Sequence, residues 1–143
     1  MGLKTTDLVP LAPGPTVLIP TSKDVVVKAF QVLRTDTVAS LKAQLPADAT
    51  VVDILIFGVA SDAATTANVS IGTNSTATQW VNAQDVKTAG GLIRPTSTVS
   101  AANLPNTENV PLGTDIQVWA KYAETGTPST VGGPYTVLIF YIR

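Results

Sequence analysis

Apolar and polar side chains take turns residue by residue in several short runs of this chain, and a period of two is what a strand with one buried face requires. The pattern is clear where Ile116, Val118, Ala120 and Tyr122 alternate with Gln117, Trp119 and Lys121. It recurs where Ala39, Leu41, Ala43 and Leu45 alternate with Ser40, Lys42 and Gln44, and again at Ala67, Val69 and Ile71. The run VVDILIFGVA at 51–60 is apolar on both faces and predicts a central strand, with Gly58 marking a bulge or a close approach of backbone. YTVLIFYI at 135–142 predicts a final strand.

The β-branched run from Asp24 to Leu33 predicts a strand that turns through Arg34-Thr35-Asp36 and pairs as a hairpin with the strand at 38–46. Residues from Asn82 or Ala83 to Thr88 predict one helical turn, and Gly90 to Gly113, with Pro95, Pro105 and Pro111, a long excursion with at most short strands. Seven or eight strands without a three-turn helix predict an all-β fold, an antiparallel β-sandwich. Long connections favour a jelly roll; an immunoglobulin-like sandwich is the alternative.

Residues 1–23 stand apart. Pro10, Pro13, Pro15 and Pro20 interrupt Leu3, Leu8, Val9, Leu11, Val17, Leu18 and Ile19. Proline fixes φ and removes a hydrogen-bond donor, so the segment predicts an extended arm ahead of a single domain at 24–143. Its apolar side chains, Leu8, Val9, Leu11, Val17 and Leu18 among them, would lie against the chain's own domain or a neighbour.

Charge narrows the partners. Only 13% of the 143 residues are charged, against about 25% in a typical soluble domain. Hydroxyls and amides must keep the surface wet, and such a surface resists protein contact less than one coated in Lys and Glu. The nine basic residues are scattered singly and the net charge is −1, so no nucleic-acid footprint is expected. No run of 18 apolar residues and no leader pattern is present, so membrane association is not expected and synthesis in the cytoplasm is.

Histidine and cysteine are absent, which removes the usual proton shuttle, thiolate nucleophile and transition-metal ligands. The nearest candidate carboxylate pairs, Asp48 with Asp53 and Asp115 with Glu124, are better explained as solvated loop or strand-edge residues. Neither a calcium loop nor a phosphate loop is present. No enzyme activity, cofactor or metal is expected. Asn68 and Asn74 open glycosylation-type triplets, which mean little without a leader. Three aromatic residues, Trp80, Trp119 and Tyr122, are candidates for exposed anchors, either at a protein interface or as platforms for sugar rings.

The segment Val69 to Ile93, VSIGTNSTATQWVNAQDVKTAGGLI, resembles small β-rich virion proteins of tailed bacteriophages, above all head decoration or cement proteins. In these a strand ending Ile-Gly-Thr leads to a polar loop, an Asn-Ala-x-Asp-Val turn and a Thr-Ala-Gly close. The resemblance implies an accessory capsid protein of the virion, a homotrimer that binds the major capsid protein on the outside of the head and strengthens the shell. A tail-fibre or connector component, or a carbohydrate-binding receptor-recognition module, is the alternative.

Overall fold

The computed structural model describes residues 24–63, 65–88, 90–95 and 114–143. They form eight strands: β1 (Val25–Val32), β2 (Ser40–Leu45), β3 (Thr50–Gly58), β4 (Thr66–Gly72), β5 (Val81–Asp85), β6 (Gly91–Ile93), β7 (Ile116–Thr125) and β8 (Tyr135–Ile142). One sheet has the order β1-β8-β3-β6 and the other β2-β7-β4-β5. Every pairing is antiparallel.

Each connection except β4 to β5 carries the chain from one sheet to the other. That interleaving is a jelly roll, and the immunoglobulin-like alternative is not the topology adopted. The expected β1–β2 hairpin is therefore corrected. A turn does close at Arg34-Thr35, where the Asp36 amide donates to the Leu33 carbonyl at 3.0 Å. Its exit is captured by the opposite sheet, because the Tyr122 amide donates to the Asp36 carbonyl at 2.7 Å.

Alternation explains the core. Val137, Ile139 and Tyr141 of β8 and Ile54 and Ile56 of β3 meet Val118, Ala120 and Tyr122 of β7 and Val69 and Ile71 of β4, all buried. Burying side chains of this size favours folding by about 1.5–3 kcal/mol each. β3 lies between β8 and β6, as its doubly apolar sequence predicts. Gly58 is a close approach: a Cβ there would stand 2.9 Å from the Pro134 carbonyl oxygen.

Two local readings fail for identifiable reasons. In β2 the register shifts between Leu41 and Ala43, so Lys42 is an extra residue and the apolar stripe splits. Ala43 and Leu45 are buried while Leu41 faces out. The bulged Lys42 pairs with Asp36 at 2.6 Å. The helical turn expected near Ala83 is the strand β5, with Ala83 at a φ of 55°. Asp85 does accept from the amides of Lys87 at 2.7 Å and Thr88 at 3.2 Å, as a helix cap would, but no helix follows among the described residues.

The two long segments outside the described residues, 1–23 and 96–113, join the sandwich at one end, where β1 and β7 begin and β6 finishes. The loops after β1, β3, β5 and β7 gather at the other end.

Candidate functional site

The two sheets differ on their outward faces, and the difference follows from strand register. Directly paired residues point to the same side of a sheet. On the β1-β8-β3-β6 sheet the outward rows are Val25–Ile142–Thr50, Val27–Phe140–Asp53, Ala29–Leu138–Leu55 and Gln31–Thr136–Phe57–Leu92. Val25 is 62% exposed and Leu92 69%, at opposite edges of this face. A β3 bulge between Val51 and Asp53 adds exposed Val52 beside it. Its one ion pair among the described residues is Asp53 with Arg94, 2.9 Å apart at the β3–β6 edge.

The β2-β7-β4-β5 sheet turns Gln117, Trp119, Lys121 and Ala123 of β7, with Thr66, Asn68 and Ser70 of β4, away from the core. Apart from the paired Leu41 and Trp119, that is the ordinary polar outside of an antiparallel sheet. The first sheet has apolar residues on both faces instead. Water in contact with such a face is unfavourable at roughly 25 cal/mol per Å², so the face is the candidate functional surface.

The aromatic anchors fare differently. Trp80 and Tyr122 are both 0% exposed, which corrects the reading of either as a surface platform. Trp80 lies just before β5, its amide bonded to the Ile71 carbonyl at 3.1 Å and its ring in the core. Tyr122 falls on the inward set of β7 with Ile116 and Val118. Trp119, on the outward set, is half-buried beside Leu41 and Gly72, and its indole N–H donates to Gln117 Oε1 at 3.2 Å. The arm residues Leu8, Val9, Leu11, Val17 and Leu18 lie outside the described residues.

The carboxylate pairs dissolve on inspection of place. Asp115 precedes β7 and Glu124 is near its far end, about 30 Å away at strand rise. Asp48 faces Arg143 at 3.7 Å and Asp53 faces Arg94. Among the described residues no three potential metal ligands cluster, and no helix is long and apolar enough to cross a membrane.

A polar network, invisible in the linear sequence, occupies the loop end. Tyr122 donates to Glu124 Oε2 at 2.7 Å, and its oxygen stands 3.0 Å from Ser61 Oγ. Ser129 donates its hydroxyl to the same Glu124 oxygen at 2.6 Å, and the Arg34 guanidinium donates to the Ser129 carbonyl. Beside it, Asp62 accepts from the Thr130 and Val131 amides at 2.7 and 2.8 Å. These bonds brace the 126–134 loop against the loops after β1 and β3. The donated bonds from Ser129 and then Tyr122 hold the Glu124 carboxyl below its ordinary range. Burial pushes the Tyr122 phenol up. An open concavity of about 560 Å³ is bordered by Arg34, Glu124, Ser129 and Gly132. Because Glu124 and Ser129 are already satisfied by loop contacts, it reads as a brace.

Set beside solved structures, the sandwich superposes on a chain of the cyanophage Pam1 capsid asymmetric unit with a TM-score of 0.60 and 21% sequence identity. The fold is one that a phage capsid also uses. The match covers 84% of this chain and 85% of that one. No family model and no curated protein matches the sequence.

Proposed function

We propose that the chain is a structural protein of a tailed-phage virion, an accessory decoration or cement protein on the outside of the head. It acts by binding. Its partners in this reading are the major capsid protein and further copies of itself in a homotrimer, with residues 1–23 reaching across neighbouring subunits.

The observation that carries the reading is the largely apolar outward face of the β1-β8-β3-β6 sheet, with one ion pair among the described residues, on a sandwich whose fold occurs in a phage capsid. Such a face serves a protein whose working state is an assembly. An oligomer seated across several shell subunits multiplies weak contacts through effective concentration, which is how a small protein would hold a shell under internal pressure. The loop-end network supports the same reading, since its polar groups are used to stiffen the scaffold.

The test is decoration of heads of the virus that encodes the chain, stripped of this protein. Full-length protein is expected to pellet with them and to raise their disruption temperature. A chain lacking residues 1–20 is expected to fold, since the described residues from Val32 onward hold a continuous buried core, and to lose the stabilising effect. Equal decoration by the truncated chain would remove the arm from the account, and no decoration by the full chain would remove the function.

A further inference from the structure

We infer that the outward face of the β1-β8-β3-β6 sheet is where copies of this chain pack on one another. This rests on the proposed function only in taking self-association from it; the surface itself is read from register and burial.

Three observations select a second copy as the occupant. Three strands of eight or nine residues and a fourth of three, spaced about 4.8 Å apart at about 3.4 Å per residue, give roughly 450 Å² per copy. Two such faces together approach the roughly 1,000 Å² that a specific interface needs. Next, a symmetric contact brings a surface against related surfaces, so charges at its centre would meet like charges. Here Ala29, Leu138, Phe140 and Leu55 carry none, and the one charged residue of the outward rows, Asp53 opposite Phe140, is paired with Arg94 at 2.9 Å. Finally, the outside of the other sheet is mostly polar, with Leu41 and Trp119 its apolar pair, so an extended apolar face is not the habit of the whole surface.

The experiment is the molar mass of the full chain by light scattering, for wild type, Phe140→Lys and a control, Gln117→Lys, on the opposite sheet. Wild type and the control are expected at the same multiple of 14.8 kDa. Phe140→Lys is expected at the mass of one chain, with an unchanged far-ultraviolet spectrum. If Phe140→Lys does not fold, Leu92→Lys, at an exposed edge position, takes its place with the same expectation. A monomeric wild type overturns the inference, as does an oligomer that survives in a folded face variant. A monomer that binds hydrophobic dye only after deletion of residues 1–23 overturns it in favour of the arm as the cover. Binding of the same proteins to heads separates the two proposals: decoration by a monomer defeats the interface alone, and an oligomer lost on Phe140→Lys that ignores heads defeats the function alone.

Discussion

Tyr122 of β7 and Tyr135 of β8 stack across the interior, ring centroids 5.9 Å apart and planes 16° from parallel. The pair ties one sheet to the other just below the loop end, and the Tyr122 hydroxyl continues into the Ser61–Glu124–Ser129 network. Stacking and hydrogen bonding at one residue are separable by substitution. Tyr122→Phe keeps the ring and is expected to cost about 1–2 kcal/mol in urea denaturation, the range for lost hydrogen bonds with buried partners. Tyr122→Ala removes both and is expected to cost about 3–5 kcal/mol. Equal losses would mean that the network outweighs the packing.

Acid should loosen the loop end. Glu124 is held below its ordinary value of 4.5 by the Ser129 and Tyr122 bonds, and Asp62 below 3.8 chiefly by the Val131 amide. A carboxyl whose folded pKa is depressed stabilises the fold above its unfolded value and loses that contribution as pH falls through the folded one. The unfolding midpoint should therefore decline from about pH 5 downward, and Glu124→Gln should flatten the decline. At the other extreme, burial pushes Tyr135 up to about 12, with the neighbouring Tyr122 adding to it. Its contribution is complete below pH 10 and should disappear as pH rises toward 12.

Gly72 ends β4 where the 73–79 loop folds back. A Cβ there would lie 2.7 Å from the Thr78 amide nitrogen and 2.8 Å from that of Gln79. The loop has little room to yield, since Asn74 Oδ1 accepts from the Thr76 amide and the Gln79 side chain, each at 2.9 Å. Gly72→Ala is expected to lower stability by about 1–3 kcal/mol by overpacking, measured by thermal or urea unfolding. An unchanged midpoint would show that the loop re-forms around a methyl group.

The two tryptophans should report their different positions in one fluorescence experiment. Trp80 is fully buried and Trp119 half-buried on an outward face. Acrylamide is expected to quench one population readily and the other poorly, with Trp119→Phe removing the accessible one. Trp80→Ala should cost about 3–5 kcal/mol and Trp119→Ala much less. Equal quenching of both would contradict the assigned faces.

Where period and register agree, the fold was legible from residue pattern. β7 and β8 appear as alternation or near-continuous apolar runs because their inward sets are unbroken. β2 was misread in detail because a bulge at Lys42 reverses the faces, and bulges leave no mark in hydropathy. β5 was misread because Asp85 supplies helix-cap chemistry to a strand end. Sheet membership was hidden as well: the turn after β1 has ordinary hairpin residues, and the crossing shows in the pairing of β1 with β8 and β2 with β7 and in the bond from the Tyr122 amide to Asp36. The candidate face was half legible. The run 51–60 shows apolar residues on both faces and predicts a central strand, which β3 is, while only register tells that one of those faces looks outward. The loop-end brace joins residues from Arg34 to Ser129, and no local signal announces contacts at that separation.

The most direct test is a cryo-electron microscopy difference map between heads of the encoding virus with and without this protein. The account predicts symmetric density for several eight-stranded sandwiches on the outer surface, bridging shell subunits. Heads that show no added density, or that carry it on the inner surface, would contradict it.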